Sequence, residues 1–330
     1  MDVNTVSVLI CTYNRGRRLA RTLDCFASLP PPTTFEADLV VVDNNSDDDT
    51  RYVIREAARQ SRLPIRYAFE PRQGKGFALN TGLALAGGEI LALTDDDVCP
   101  EPDWLERIVD AFRRHDPVFI GGKVLPVWAA PPSKGLLTRR AQVIWGPLAL
   151  IDYGEEPIDY TEGDPVGRRP IGANMAVRRD AMLAIGGWRT DLGRVNNTLI
   201  SGEDQEIFLR LLRAGLYRGR YEPTVVVHHD VPATRLTRRY FRHWFFANGQ
   251  TRAIASDAFY PGVDFTRVPR VAGVPRFMYR ELAGEVVLWI RRLIAANPLE
   301  RFIQELRTVR LVGFMWQCRL LAGSAQQERR

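Results

Sequence analysis

The amino-acid sequence predicts an α/β fold in which a mainly parallel sheet is flanked by helices and a helical extension follows at the C-terminus. In the first half, short apolar runs alternate with segments of helical periodicity, and after residue 275 helical periodicity continues with one interruption. Such alternation is typical of parallel sheets covered on both faces. The predicted division is one α/β domain over residues 1–250 and the extension over residues 251–330.

Strands and helices are predicted in alternation over the first 114 residues. Each predicted strand is a short, mostly apolar run, and each predicted helix has apolar positions three or four residues apart. The strands are residues 6–10, 39–42, 65–69 and 90–93, and the helices are residues 17–29, 51–62, 77–86 and 104–114. Ligands bind at the carboxyl ends of the strands in such sheets, so polar residues after the strands are the first candidates for a site.

The second half is less regular. It contains a Pro-rich linker at residues 126–134, a polar loop at 151–169, and an apolar strand at 225–227. A helix is predicted at 202–216, because an acidic first turn and arginines near its end suit the helix dipole. Residues 275–321 have the pattern of an amphipathic helix interrupted at 297–298.

The composition is that of an ordinary globular protein, with 330 residues, 45% hydrophobic and 25% charged. Cys11, Cys25, Cys99 and Cys318 are scattered and form no CxxC pair, so neither a zinc site nor a disulfide framework is expected. The expected setting is therefore a reduced cytoplasm. No signal peptide and no apolar run of about 18 residues is recognised, so contact with the inner face of a membrane would be peripheral.

The net charge of +6 is unevenly distributed. Residues 231–330 contain 17 Arg, no Lys and 7 acidic residues, a net charge of +10. This region suits an anionic membrane or polymer, and a solvated Arg-rich surface is the alternative. It contains no recognisable nucleic-acid-binding motif, so nucleic acid is not an expected partner.

Three consecutive carboxylates, Asp95, Asp96 and Asp97, follow the fourth predicted strand. On an extended chain, Asp95 and Asp97 point to the same side and converge on one small volume. Adjacent carboxylates repel unless a cation lies between them, and oxygen ligands suit Mg²⁺ or Mn²⁺. Such a cation would stabilise a diphosphate leaving group. The alternative is an acidic turn that caps the next helix.

Polar residues also follow the first and second predicted strands. Thr12, Tyr13 and Asn14 come after the first strand, and Asp43 ends the second. The carboxylate of Asp43 is suited to accept hydrogen bonds from a nucleobase or a ribose hydroxyl. The alternative is an Asx-turn or helix cap formed with the two asparagines that follow it.

A glycine-rich segment, Gly74-Lys75-Gly76, precedes the helix that contains Asn80. Glycines before a helix let a phosphate approach the backbone, and Lys75 adds a positive charge. The spacing is not that of a Walker A loop, because no Ser or Thr follows the lysine.

Glu203 and Asp204 begin the helix predicted at 202–216. In the functional interpretation, Asp204 is a general base that accepts a proton from an acceptor hydroxyl. In the alternative, both residues only stabilise the helix dipole.

Two adjacent histidines, His228 and His229, follow the strand at 225–227 and are predicted at its end. Either is a candidate third metal ligand, since Mn²⁺ tolerates imidazole. A structural histidine is the alternative for each of them.

Several segments together resemble the family-2 inverting glycosyltransferases, which have the GT-A fold. Their order and spacing carry the resemblance up to about residue 250. The segments are SVLICTYNR (7–15), LVVVDNNSDDDT (39–50), GKGFALNTGL (74–83), LALTDDD (91–97), IGANMAVRR (171–179), GGWRTDLG (186–193), GEDQEIFLRLLRAG (202–215) and VVVHHDVPATRLT (225–237).

The resemblance implies roles for individual residues. The donor nucleotide would be bound by Thr12, Tyr13, Asn14, Asp43, Lys75, Asn80, Asp95 and Asp96. Asp97 would bind the metal and the pyrophosphate, together with one of the two histidines. Asp204, next to Glu203, would be the catalytic base. Asn174 and Trp188 would lie near the sugar or the acceptor.

The expected reaction is a single displacement with inversion, in which a sugar passes from a nucleotide-diphosphate donor to an acceptor hydroxyl. UDP is the expected nucleotide, with dTDP and GDP open, and surface polysaccharide or glycolipid synthesis is the expected context. A nucleotidyltransferase that forms sugar nucleotides is one alternative. The other is a nucleotide-sugar-binding protein without catalysis. On the extension, an apolar stripe with flanking arginines predicts either contact with a membrane surface or packing on the protein itself.

Overall fold

The structure is a computed structural model that describes residues 3–161, 167–195, 198–260, 262–295 and 297–327. It confirms the α/β fold with a central sheet flanked by helices and with helices at the C-terminus. The chain divides into two compact units. The first comprises Met1–Ala129, Ala149–Asp191 and Glu203–Val231, and the second comprises Ala130–Leu148, Leu192–Gly202 and Pro232–Arg330. The boundary at residue 250 stays a prediction.

The first unit contains the sheet. Its strands are β1 (Thr5–Thr12), β2 (Glu36–Asp43), β3 (Ile65–Phe69), β4 (Ile90–Asp95), β5 (Val98–Pro100), β6 (Phe119–Trp128), β7 (Ile158–Tyr160), β8 (Met175–Arg178) and β9 (Gly219–Val231). Its helices are α1 (Gly16–Ser28), α2 (Thr50–Gln60), α3 (Lys75–Leu85), α4 (Trp104–His115), α5 (Arg179–Ala184) and α6 (Glu203–Arg213).

The sheet has the strand order β3-β2-β1-β4-β8-β6-β9-β5, and β7 pairs with β9. The first four strands in this order are parallel, as predicted from the alternation of strands and helices. β8 pairs antiparallel with β4 and β6, and β5 and β7 pair antiparallel with β9. The second half of the chain therefore makes the sheet mixed, a feature that its short apolar runs did not predict.

Two sequence-based expectations about strands need correction. Residues 126–128 belong to β6, which lies beside β9 in a parallel pairing, and are not part of a linker. β9 continues to Val231, so His228 and His229 lie inside a strand and not at its end. In both cases cross-strand hydrogen bonds extend the strand beyond the apolar run that the sequence shows.

A disulfide joins Cys25 on α1 to Cys99 on β5, with their Cα atoms 5.5 Å apart. The expectation of no disulfide was therefore wrong. The argument for a reduced setting depended on that expectation and no longer holds. The two cysteines are 74 residues apart in the sequence. Only the packing of α1 against β5 brings them together, and sequence spacing contains no signal of that contact.

The second unit is mainly helical. It contains α7 (Arg238–Ile254), α8 (Ser256–Phe259), α9 (Arg276–Ala295) and α10 (Pro298–Gln327), and a two-stranded sheet of β10 (Arg270–Val271) and β11 (Val274–Pro275). Short 3-10 helices cover Lys134–Leu137, Arg139–Ile144, Gly146–Leu148 and Ala233–Leu236. Within the described ranges, no helix combines the length and the apolar content needed to cross a membrane.

α7 and α10 approach closely through two glycines. A Cβ atom on Gly249 would lie 2.0 Å from the backbone oxygen of Arg310, and one on Gly313 would lie 2.1 Å from that of Phe246. No larger residue fits at either crossing point, so the glycines set the distance between the helices. The core beside this crossing includes Ala253, Val274, Met278, Leu311, Phe314, Met315 and Cys318.

Candidate functional site

The carboxyl ends of three parallel strands place their last residues side by side. In the register of β1 with β2, Thr12 lies opposite Asp43, and in the register of β1 with β4, Cys11 lies opposite Asp95. Parallel pairing puts all of these residues at one edge of the sheet, which confirms the arrangement predicted from the strand ends.

The three carboxylates after β4 have different partners. Asp95 Oδ1 lies 3.2 Å from Lys75 Nζ. Asp96 points inward, where its carboxylate accepts hydrogen bonds from Thr12 Oγ1 at 2.8 Å and Arg15 Nη1 at 2.7 Å. Burial raises the pKa of Asp96, and Arg15 opposes this only in part. The hydrogen bond between Thr12 and Asp96 thus links β1 to the end of β4. The predicted contacts of these two residues with the nucleotide stay predictions.

Asp97 faces His229, which lies inside β9. Asp97 Oδ1 lies 3.4 Å from His229 Nε2, and the two side chains are 2% and 1% exposed. Arg15 and Arg18 approach the other oxygen of Asp97 at 3.4 and 3.6 Å. Asp97 therefore lies between an imidazole and two guanidinium groups.

His228 lies on the opposite face of β9, because side chains alternate along a strand. Its Nε2 is 2.6 Å from Glu101 Oε1, and its side chain is 35% exposed. The sequence left both histidines as candidates, and the geometry brings only His229 to Asp97.

Lys75, at the start of α3, connects the strand-end carboxylates to the start of α6. Its Nζ lies 3.2 Å from Asp95 Oδ1 and 3.4 Å from Glu203 Oε1. Burial would lower the pKa of Lys75, but the carboxylates of Asp95, Asp204 and Glu203 outweigh it and hold this pKa well above its ordinary value. Lys75 is therefore charged throughout the physiological range.

The loop before α3 is held by residues that the sequence did not single out. The side-chain amide of Asn44 donates to the backbone oxygens of Glu70 and Arg72 and accepts from Gly74 N. Glu70 binds Arg72 through two side-chain hydrogen bonds, which with Thr81 lower the pKa of Glu70 to about 2. Asn44 directly follows Asp43 in the sequence, which was the one available signal of its role.

Asp204 lies at the first turn of α6 with one oxygen anchored. Its Oδ2 accepts a hydrogen bond from Gly172 N at 2.9 Å, and its Oδ1 is buried without a hydrogen-bond partner among the described residues. A Cβ atom on Gly172 would lie 2.9 Å from Asp204 Oδ2, so the contact needs a glycine. A buried carboxylate oxygen without a donor is able to accept a proton from a bound ligand.

Asn80 and Trp188 hold one another through two hydrogen bonds. Asn80 Nδ2 donates to Trp188 O, and Asn80 Oδ1 accepts from Trp188 N, both at 2.8 Å. Trp188 is 2% exposed, and its indole N–H is buried with no partner among the described residues. Asn80 therefore positions the loop that carries Trp188, and its predicted contact with the nucleotide stays a prediction.

Asn174 is a bridge within the sheet. It is 1% exposed, and its amide donates to the backbone oxygens of Lys123 and Val225 at 2.8 and 2.9 Å. Its Oδ1 accepts from Trp104 Nε1 at 2.9 Å. Both donor hydrogens are thus engaged inside the protein, which leaves the predicted contact with sugar or acceptor without a free amide hydrogen.

A cavity of about 370 Å³ opens beside the end of β2. It is lined by Asp43, Ser46, Asp47, Asp48, Arg51, Tyr67 and Phe69. Asp43 Oδ1 accepts from Ser46 N at 2.9 Å, and Asp43 Oδ2 accepts from Tyr67 Oη at 3.3 Å. The cavity therefore offers a carboxylate, a phenol and an aromatic face, which together suit a nucleobase and a ribose.

Two of the residues predicted to bind the donor flank the first strand end. Asn14, with a left-handed φ of 50°, accepts from Asp47 N through its side chain and donates its own backbone N–H to Ser46 Oγ. Asn14 therefore ties the end of β1 to the cavity wall. Tyr13 beside it is partly exposed.

The residues at this edge fit a divalent cation that takes part of its coordination shell from a bound substrate. No group of three or more His, Cys, Asp or Glu able to hold a metal occurs in the described parts of the chain. Mg²⁺ and Mn²⁺ are usually held by one or two protein carboxylates together with waters and substrate phosphates. Asp97 and His229, buried and 3.4 Å apart, would supply a carboxylate and an imidazole to such a cation, and a bound diphosphate would supply further oxygen ligands.

Comparisons with known proteins identify the family of the chain. The sequence model described as "Glycosyl transferase family 2" matches residues 7–182, more than half of the chain. The chain is 27% identical over 332 residues to "Glycosyltransferase AglE" of Haloferax volcanii, covering 97% of this chain and 94% of that protein. It is 26% identical over 230 residues to "Glucosyl-dolichyl phosphate glucuronosyltransferase" of the same organism, covering 68% and 69%.

A solved structure shares the fold. The mannosyltransferase PcManGT from Pyrobaculum calidifontis, in complex with GDP-Man and Mn²⁺, superposes with a TM-score of 0.62 at 20% identity. The match covers 94% of this chain and 87% of that chain. The GT-A fold predicted from the resemblance is confirmed.

Proposed function

The chain belongs to glycosyl transferase family 2 and is a glycosyltransferase, and from that premise we propose a specific reaction. The protein moves a sugar from a nucleotide-diphosphate donor, with UDP as the nucleotide, to an acceptor hydroxyl. The anomeric configuration is inverted, and Mg²⁺ or Mn²⁺ assists the transfer. One observation carries the proposal: Lys75 contacts both Asp95 and Glu203. A donor-binding edge and a candidate base are thereby parts of one site.

The nucleoside lies in the cavity next to Asp43. The carboxylate of Asp43 accepts hydrogen bonds from the base or the ribose, and Tyr67 and Phe69 offer apolar surface to the ring. Phe69 is 48% exposed, which leaves its face open to a ligand.

The negative net charge of the site favours binding of a divalent cation. Lys75 contacts Asp95 and Glu203 and is also acted on by the charge of Asp204. Arg15 and Arg18 contact the carboxylates of residues 96 and 97, so five acidic residues face three basic ones. A nucleotide diphosphate adds further negative charge, so it binds well only with a divalent cation between it and the carboxylates. Asp97 and His229 would hold that cation, which when bound neutralises charge on the leaving diphosphate.

Asp204 accepts the proton of the acceptor hydroxyl. The hydrogen bond from Gly172 N fixes one carboxylate oxygen and leaves Oδ1 to the acceptor. Lys75 stabilises the negative charges of Asp95 and Glu203 beside it and keeps the edge ordered before the donor binds. One base and one leaving group suffice for a single displacement, which inverts the anomeric carbon.

The proposed acceptor is a saccharide or a lipid-linked saccharide of surface polysaccharide or glycolipid synthesis. Support comes from the relatives, since one of them is named as a transferase acting on glucosyl-dolichyl phosphate. The solved neighbour binds GDP-Man with Mn²⁺, so GDP-sugars belong in any test of the donor.

Donor binding tests this proposal. UDP-, dTDP- and GDP-sugars are titrated calorimetrically into the wild type with Mn²⁺ or with a chelator. We expect one donor to bind only with Mn²⁺, and Asp43→Ala to weaken it about 10- to 100-fold, because a hydrogen bond to a charged group is lost. Asp24→Ala removes an exposed carboxylate from α1 and serves as the matched control. Tight binding of a nucleoside triphosphate instead would favour a nucleotidyltransferase, and donor binding without turnover would favour a binding protein.

We also propose that α9 contacts a membrane surface. The predicted apolar stripe begins in the core, where Met278 is buried and Leu282 packs against it. The exposed apolar residues lie on another side of the helix: Val287 is 48% exposed, Ile290 51% and Ile294 90%. Ile290 and Ile294, three and seven residues after Val287, share one face with it, and the basic C-terminal region complements anionic lipid.

Vesicle sedimentation tests this contact. We expect the wild type to bind vesicles that contain phosphatidylglycerol, and the double variant Ile290→Ser/Ile294→Ser to bind at least about tenfold more weakly, because two aliphatic chains that the bilayer would bury are removed. Leu183→Ser, a 49% exposed position on α5, is the control. Equal binding of both variants and the wild type would rule out this face of α9.

A further inference from the structure

Nitrogen groups contact both carboxylate oxygens of Asp97. Oδ1 lies 3.4 Å from His229 Nε2, and Oδ2 lies 3.4 Å from Arg15 Nη1 and 3.6 Å from Arg18 Nη1. The side chain of Asp97 is 2% exposed, so water screens these charges only weakly. Two guanidinium groups therefore compensate the charge of a carboxylate that the proposed reaction assigns to a divalent cation.

The two arginines are held differently. Arg15 comes directly before α1, and its Nη1 also lies 2.7 Å from Asp96 Oδ1, so a second carboxylate fixes it. Arg18 lies in the first turn of α1, and in the part of the chain that the structure describes its guanidinium group forms no ion pair other than the one with Asp97. That contact, at 3.6 Å, is longer than an N–H···O hydrogen bond, and the side chain of Arg18 is 39% exposed. Arg18 is therefore able to leave Asp97 without breaking another ionic contact.

Arg18 and a divalent cation compete for Asp97. Positive charges that share one buried carboxylate repel each other, and at such short distances this repulsion is large. While Arg18 stays at Oδ2, a cation at Asp97 therefore binds more weakly than it would next to a neutral side chain. Arg15 contributes to the same repulsion, but its contact with Asp96 keeps it in place.

A nucleotide diphosphate offers Arg18 an alternative partner. The planar guanidinium group suits phosphate oxygens, often through two parallel hydrogen bonds. Oxygen ligands of Mg²⁺ lie about 2.0–2.1 Å from the ion, so a phosphate oxygen and a carboxylate oxygen on the same ion are at most about 4 Å apart. A side chain that reaches Asp97 Oδ2 at 3.6 Å is therefore long enough to reach a diphosphate on a cation bound to Asp97.

We propose that Arg18 exchanges Asp97 for the diphosphate of the donor when a divalent cation and the donor bind together. Without a donor, Arg18 opposes the cation, and with a donor it holds the leaving group. The cation and the donor consequently raise each other's affinity by the same factor, as thermodynamic linkage requires. This inference rests on the proposed function, because it takes Asp97 as a ligand of the cation.

Binding of Mn²⁺ alone tests the first half of the exchange. The full chain is titrated with Mn²⁺ without nucleotide, and the free Mn²⁺ is measured by electron paramagnetic resonance. We expect Arg18→Gln to bind Mn²⁺ about threefold to tenfold more tightly than the wild type, because a competing positive charge is removed. Arg17→Gln removes the exposed neighbouring arginine of α1 and is the matched control, which should bind Mn²⁺ as the wild type does. Equal Mn²⁺ affinity of Arg18→Gln and the wild type would overturn the proposal.

Calorimetric binding of UDP, dTDP and GDP at saturating Mn²⁺ tests the second half. We expect Arg18→Gln to bind the preferred nucleotide at least about tenfold more weakly than the wild type, because a charged hydrogen-bonding group is lost. Arg18→Lys keeps the charge without the planar pair of donors, so its affinity should lie between those two. Tighter Mn²⁺ binding combined with weaker nucleotide binding is the expected signature of the exchange. Weaker binding of both ligands, or failure of both variants to fold, would show a structural role and contradict the proposal.

The same titrations separate this inference from the proposed reaction. If the wild type binds none of the three nucleotides with any cation, the proposed reaction fails and the inference fails with it. If the wild type binds a nucleotide with Mn²⁺ and Arg18→Gln binds it equally well, only the inference fails. Nucleotide affinity that is the same with Mn²⁺ and with a chelator would remove the cation from the site, and with it the competition at Asp97.

Discussion

Asp204→Asn is expected to lower kcat by about 10³ and to leave the Kd of the donor within about twofold of the wild-type value. The reason is that Asp204 Oδ1 is buried without a hydrogen-bond partner among the residues that the structure describes, while Oδ2 is fixed by Gly172 N. An amide at this position keeps the shape but cannot accept the proton of the acceptor. Initial rates at saturating donor, together with calorimetric donor binding, measure the two quantities.

Gly172→Ala provides an independent check on the same group. The added Cβ would lie 2.9 Å from Asp204 Oδ2, so the carboxylate must move while remaining ionisable. We expect kcat to fall about tenfold to a hundredfold with the donor Kd unchanged. Asp24→Asn is the control for loss of a carboxylate. If Asp204→Asn kept more than a tenth of wild-type kcat, Asp204 would not be the base.

Asp97→Asn is expected to abolish the metal dependence of donor binding and to weaken that binding at least about a hundredfold. Asp97 faces His229 at 3.4 Å and is 2% exposed, so its charge is not replaced by solvent. The asparagine side chain lacks the negative charge that attracts the cation. The cation would then no longer bind between the protein and the diphosphate. Donor titrations at a series of Mn²⁺ concentrations measure the effect.

The two histidines form a matched pair for this prediction. His229→Ala should weaken metal-dependent donor binding about tenfold or more, because removing a ligand or its support lowers metal affinity. His228→Ala, which loses only the contact with Glu101 on the other face of β9, should bind the donor as the wild type does. Equal effects of the two substitutions, or Asp97→Asn with unchanged Mn²⁺ dependence, would remove Asp97 and His229 from the metal site.

The parallel half of the fold and the site edge were predictable from the sequence. Apolar runs ending in polar residues mark buried strands, and parallel strands bring their carboxyl ends together, so Asp43 and Asp95 had to lie at one edge. The position of the acidic pair at the start of α6 was predictable from its helix signals. These features depend on local periodicity and on one general rule of α/β sheets.

The partners of individual side chains were not predictable in the same way. Asn80 and Asn174 were predicted to lie near a ligand, a prediction that stays open, and the structure adds that their amides hold Trp188 and the backbone of the sheet. A polar residue near a site looks the same in the sequence whether it binds a ligand or a loop. Which of these occurs depends on backbone groups that come from distant parts of the chain.

By itself, the sequence determined the α/β class, the helical C-terminal region, the strand-end carboxylates and the family. These are properties of local pattern and order along the chain. Tertiary structure alone decided that His229 and not His228 meets Asp97 and that Cys25 bonds Cys99. Each of these contacts joins segments far apart in the sequence, and its geometry arises only when strands pair and helices pack.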